Sequence, residues 1–141
     1  MEVYMKARQI MTVVALIVGS GLALQAARAQ QPGVTRTDLQ KHDLSVPGRE
    51  VVQVLVDLAP GVVFPEHKHP GEEIVYVVAG SLEYQVEGQP PVTLEAGDVL
   101  FIPAETIHSV TNVGSDKASE LATYIVEKGK PLLALVPVSA Q

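Results

Sequence analysis

A close succession of short β-branched runs, each closed by glycine or proline, constrains this chain more than any other feature. Val51-Val52-Gln53-Val54-Leu55-Val56-Asp57-Leu58 ends at Pro60-Gly61. Ile74–Val78 and Leu82–Val86 flank Ala79-Gly80-Ser81, the pattern of a hairpin with a glycine-containing turn. Gly88-Gln89-Pro90-Pro91 precedes Val92-Thr93-Leu94, and Glu95-Ala96-Gly97-Asp98 precedes Val99–Ile102. His108–Val113 and Leu121–Val126 complete the series. No segment after residue 29 carries a helical period. Strands this short and this closely spaced predict an all-β fold of about eight to ten antiparallel strands, closed as a sandwich or barrel to cover its edges. With 141 residues there is room for one such domain, and 47% hydrophobic residues suffice for its core.

The ends read differently. Lys6 and Arg8 precede an apolar run from Ile10 to Leu24, and Ala27-Arg28-Ala29 offers the small-x-small pattern that a signal peptidase accepts. A run of that length is short for a membrane span, which needs roughly 20 residues. Residues 1–29 are therefore expected to be a signal peptide cleaved after Ala29, with the mature protein periplasmic or secreted and not inserted in a membrane. A retained anchor, or a start at Met5 or Met11, is the alternative. Residues 30–48 read as a polar N-terminal lead-in broken by Pro32, Gly33, Pro47 and Gly48. The domain proper is expected at 49–128. The tail at 129–141 is expected to be an apolar arm lying on a partner subunit, consistent with a homodimer, or a frayed terminus.

Charge and composition exclude several roles. The net charge is −6. Removing residues 1–29 takes away Lys6, Arg8, Arg28 and Glu2, leaving 7 basic and 15 acidic residues and a net charge of −8. Nucleic-acid binding needs a basic patch to neutralise phosphates, and this chain has none. It has no cysteine, so disulfides and thiolate ligands are excluded and any metal must be held by nitrogen and oxygen.

His67 and His69 are two apart, so on a strand both imidazoles face the same way. Glu73 and His108 can complete a compact set of three nitrogens and one oxygen, which suits a divalent transition metal. Glu66, Lys68 and Glu72 alternate with these residues and are expected to face outward. His42 lies far from them and reads as a surface histidine. Val75 and Val77 share the parity of Glu73, whereas Tyr76 faces away. No basic residue lies between Lys68 and Lys117, so the inner wall reads as mostly apolar, fit for a small, weakly polar organic ligand.

At these positions the chain resembles the cupin superfamily, specifically its small single-domain members. Gly61, His67, His69, Glu73 and Gly80 stand at the spacing of the first cupin motif, and Gly97, Pro103, His108 and Asn112 at that of the second. Glu105 is the one departure, standing where the motif has glycine. It reads as a turn residue adopting a strained backbone, with an acid at the pocket mouth as the alternative. The resemblance covers Glu50–Val126. It implies a jelly-roll β-barrel in which His67, His69, Glu73 and His108 bind one divalent ion: iron, manganese, nickel, zinc or copper. It also implies a metal-dependent enzyme acting on a small molecule, most like the quercetinase-type dioxygenases, with Glu73 as ligand or catalytic base. A non-redox lyase or isomerase, or a periplasmic metal- or ligand-binding or sensing protein without turnover, are the competing readings.

Overall fold

The computed structural model describes residues 31–137. The expected signal peptide lies outside the described residues. Ten strands run in order: β1 (Val34–Asp43), β2 (Arg49–Leu58), β3 (Val63–Lys68), β4 (Gly71–Ala79), β5 (Ser81–Val86), β6 (Val92–Glu95), β7 (Val99–Ile102), β8 (His108–Asn112), β9 (Ala118–Glu127) and β10 (Ala134–Leu135). They form two five-stranded antiparallel sheets, ordered β1-β2-β9-β4-β7 and β10-β3-β8-β5-β6. The all-β jelly-roll expectation holds. No helix among the described residues is long and apolar enough to cross a membrane.

Period-two burial explains both sheets. Along β2, Val52, Val54, Val56 and Leu58 point inward while the residues between them are half-buried. On β4, Glu73, Val75 and Val77 are buried and Ile74, Tyr76 and Val78 exposed, as the parity predicts. In the second sheet Leu82, Tyr84 and Val86 of β5 lie beside Val110 and Asn112 of the neighbouring β8, and all are buried. The core fills the space between the layers.

Tight contacts hold this packing in register. A Cβ on Gly71 would stand 2.0 Å from the Ile125 carbonyl oxygen, so β4 can approach β9 this closely only with glycine there. Gly80 turns β4 into β5 at φ 80°, with Ala118 against its Cα. Buried Asn112 donates from Nδ2 to the carbonyls of Leu58 (2.9 Å) and Asp116 (2.8 Å), and its Oδ1 accepts from the Gly114 N–H. The second-motif asparagine thus ties the end of β2 to the loop between β8 and β9.

Both ends of the described chain join the sheets. Within the polar lead-in at 30–48, ten residues form β1, the edge strand beside β2. Its inward positions include Arg36 as well as Val34, so no apolar alternation betrays it. The tail folds back on its own chain. Ala134 and Leu135 pair with Lys68 and His67 of β3, and the Val136 N–H donates to the Glu66 carbonyl at 2.9 Å.

Candidate metal centre

The four residues singled out by spacing converge. One potential ligand atom from each of His67, His69, Glu73 and His108 lies within 4.8 Å of the others, and all four side chains are buried. His67 stands on β3 opposite His108 of β8, and Glu73 comes from β4 of the facing sheet. The β3–β8 register shifts between Phe64 and His67, around Pro65, which has no N–H to give the ladder. That shift lets Phe64 and His67 both face inward despite their odd separation.

Each imidazole is oriented by the backbone. Nδ1 of His67 lies 2.7 Å from the Pro65 carbonyl oxygen, Nδ1 of His69 2.7 Å from that of Leu132, and Nδ1 of His108 2.9 Å from that of Thr106. A carbonyl only accepts, so each Nδ1 carries the hydrogen and each Nε2 is left for the centre. Phe64 packs edge-on to His67 at 4.7 Å and Tyr124 tilts against His69 at 4.6 Å between ring centroids, fixing the ring planes.

The electrostatics call for a cation. Oε2 of Glu73 lies 3.1 Å from Nε2 of His69 and 3.0 Å from Nε2 of His108. The His69 approach is an ion-pair distance without hydrogen-bond geometry, and both His69 Nε2 and Glu73 Oε2 are buried with no hydrogen-bond partner. A lone pair facing a carboxylate oxygen at this range repels unless a proton or cation lies between them. Burial, together with His108 and His69, pushes the His67 imidazole down to about 3, which keeps it a neutral donor. Burial would raise the Glu73 carboxyl, but its contacts with His108 and His69 outweigh that and hold it below the usual carboxylate range. Neutral imidazoles and an ionised carboxylate form a donor set that fits a divalent transition ion.

The wall around the centre differs from the apolar lining expected. Val56, Phe64 and Val110 line it, but so do Arg36, Tyr84, Glu120 and Tyr124. The cavity is small, about 10 Å³, room at the level of one water-sized group. The Arg36 Nη2 donates to the Tyr124 hydroxyl at 3.2 Å. Glu120 is 4% exposed, and burial, then the nearby Glu73 charge, pushes its carboxyl well up. Arg36 was missed because its strand was not recognised. Glu120 was missed because β9 begins at Ala118, and extending the inward parity of Ala122, Tyr124 and Val126 back two places would have found it.

The remaining residues sit where the parity puts them, with one adjustment. Glu66 and His42 are exposed, but Glu72 and Lys68 are only half-buried. Glu105 adopts φ 60°, its N–H donates to the His69 carbonyl at 3.1 Å, and its side chain pairs with Lys68 at 2.8 Å. It is a strained turn residue outside the cavity.

Comparison with known proteins agrees with this geometry. The Cupin domain family model matches residues 54–130. The chain belongs to the cupin family. This cupin is 40% identical over 55 residues to the dimethylsulfoniopropionate lyase DddQ of Ruegeria pomeroyi, covering 39% of this chain and 27% of the lyase. It is 37% identical over 70 residues to the oxalate-binding protein of Thermotoga maritima, covering 49% and 57% of the two chains. Among solved structures, oxalate oxidase in complex with glycolate superposes with a TM-score of 0.61 at 28% identity, over 74% of this cupin and 56% of the oxidase. The cupin therefore spans between about a quarter and somewhat over half of these relatives.

Proposed function

We propose that this cupin is a metal-dependent enzyme acting on a small organic molecule, and that His67, His69, Glu73 and His108 hold its divalent ion. The observation that carries the reading is the convergence of three backbone-oriented imidazoles and a buried carboxylate, with Nε2 of His69 and of His108 within about 3 Å of the unpartnered Oε2 of Glu73. Oxidative, dioxygenase-like turnover is the leading chemistry, supported by the similarity to oxalate oxidase. When bound, such an ion supplies Lewis acidity and, if redox-active, a route for electrons.

The chain's own residues do the rest. Glu73 lowers the charge of the centre as a ligand. The three carbonyls hold the imidazole rings in place. Phe64, Val56 and Val110 keep bulk water out, and Tyr84 and Glu120 offer polar atoms within reach of a bound molecule. A non-redox lyase is the second reading, supported by the identity with DddQ and by the hydroxyl and carboxyl groups in the wall, which can move a proton. A binding protein without turnover is the third, supported by the oxalate-binding relative.

Elemental analysis of the purified protein, paired with oxygen uptake on a panel of small acids, catechols, flavonols and diketones, separates these readings. One bound ion, lost in His67→Ala, with substrate-dependent oxygen consumption supports the leading chemistry. Product without oxygen uptake selects the lyase, and ligand binding without product selects the binding protein. A wild-type protein with no affinity for any of the five metals overturns the reading. Export after cleavage at Ala29 and a homodimer complete the proposal, tested by the mass of the protein recovered outside the cytoplasm and by its size in solution.

A further inference from the structure

Two buried polar atoms in the cavity wall have no partner, and a guanidinium beside them, which overlies the Tyr124 ring at 5.8 Å, has donors to spare. Arg36 projects from β1 into the space beside Glu73, and its one side-chain hydrogen bond goes to the Tyr124 hydroxyl. Among the described residues no carboxylate lies within ion-pair distance of its guanidinium. A guanidinium has five N–H donors in a planar fork, so most of this one's capacity is unused. The Tyr84 hydroxyl is buried with no hydrogen-bond partner, and so is Oε2 of Glu120. All three residues line the same cavity as His67, Glu73 and His108. A buried polar atom without a partner is destabilising, so such atoms clustered around one space point to something that enters it.

We infer that Arg36 and Tyr84 form a subsite for the carboxylate of a small organic acid, placed beside the His67–His69–Glu73–His108 set. The inference rests on the metal reading above and names the class of molecule that the same site takes. Charge argues for an anion. A divalent ion and the Arg36 guanidinium outweigh Glu73 and Glu120 whether or not Glu120 is protonated. Shape argues for a carboxylate among anions. A free space of about 10 Å³, at the level of one water, favours the smallest planar organic anion over a tetrahedral phosphate on a sugar. The guanidinium fork matches a carboxylate with two parallel N–H donors, and the Tyr84 hydroxyl adds a third donor at the cavity wall. Oε2 of Glu120 has no donor and sits in the same wall, which disfavours a second negative group deep in the pocket. The preferred acid therefore carries one carboxylate at its buried end. Val56, Phe64 and Val110 leave the rest of that end little room, so a chain of very few carbons is favoured.

The test is calorimetric titration of acetate, with acetamide as the uncharged isostere, into the wild-type protein, Arg36→Gln and Tyr84→Phe, with metal content measured on each sample. Acetate should bind the wild type and acetamide should not. Arg36→Gln should weaken acetate at least about tenfold, and Tyr84→Phe by about fivefold, with metal content unchanged in both, as expected for removing a charged and a neutral donor. Tyr84→Phe removes only an unpartnered hydroxyl and should melt no lower than the wild type, so it carries the comparison if Arg36→Gln fails to fold. Equal binding of acetate and acetamide overturns the inference. So does wild-type acetate affinity in Tyr84→Phe, or in a folded Arg36→Gln, with metal in place, since the ion alone would then be capturing the anion. A wild type that binds no metal overturns the metal reading instead, and acetate affinity that still depends on Arg36 would then leave the subsite standing.

Discussion

The Nδ1–H of His69 donates to the carbonyl oxygen of Leu132 at 2.7 Å, a bond between a motif residue and a backbone group in the C-terminal segment. That segment is anchored by the pairing of β10 with β3 and so does two jobs, covering the edge of the sheet and setting the tautomer of a ligand.

Truncation after Lys130 should therefore weaken metal binding while leaving the sandwich folded. Outer partners of histidine ligands contribute about tenfold to about a hundredfold in affinity, and the loss should fall at the lower end because the other two imidazoles keep their carbonyls. Competition with a metal-binding dye measures it. Unchanged affinity would show that His69 needs no external orientation.

Acid should destabilise the metal-stripped protein. The His67 imidazole stays neutral in the fold down to about 3, whereas in the unfolded chain it takes a proton near 6.5. Between those values the unfolded state binds more protons, so stability falls as pH drops through that window. Glu73, held below its ordinary 4.5, acts in the same direction as pH falls below that value. Glu120 acts oppositely. Its raised carboxyl keeps a proton that the unfolded chain loses above 4.5, so stability declines as pH rises past that point. Chemical denaturation across pH should show His67→Leu flattening the acid limb and Glu120→Gln flattening the other.

Replacing Glu105 with glycine should stabilise the fold by about 1 kcal/mol, because a non-glycine side chain in the left-handed region costs about that much. The exposed pair with Lys68 offsets little of the gain. Thermal melting checks this, and metal affinity should not change because Glu105 lies outside the cavity. A lower melting temperature would mean that the ion pair outweighs the backbone strain.

Gly71→Ala should be severe. The added methyl meets the Ile125 carbonyl oxygen at 2.0 Å, so β4 must part from β9 and carry Glu73, two residues on, away from the imidazoles. Overpacking of this kind costs about 3 kcal/mol, and urea unfolding with a parallel metal assay should show stability and metal binding lost together. Loss of stability with full metal affinity would show that Glu73 moves independently of the ladder.

The ligand set was legible in the chain itself. Side chains on a strand alternate, so the spacing of His67, His69 and Glu73 sorts them onto inner faces before any fold is known, and Val75 and Tyr76 follow the same rule. Glycine and proline mark the turns because their backbone preferences are local, which is why β2 and β4 to β8 could be delimited from the residues alone. What the chain could not reveal lies in pairings between distant segments. Arg36 reaches the cavity only because β1 finds β2, Glu120 because β9 inserts between β2 and β4, and the Leu132 carbonyl because the tail returns to β3. The Leu132 carbonyl and Arg36 have no local signature, since a carbonyl has no sequence code and a polar residue on an inner face breaks the apolar alternation that identifies a strand. Glu120, by contrast, follows from the parity of β9 only once that strand is known to begin at Ala118. The sequence by itself determined which atoms can hold an ion. The tertiary structure decided what surrounds it, turning an expected apolar wall into one that contains a guanidinium, because only long-range strand pairing brings residue 36 beside residue 73.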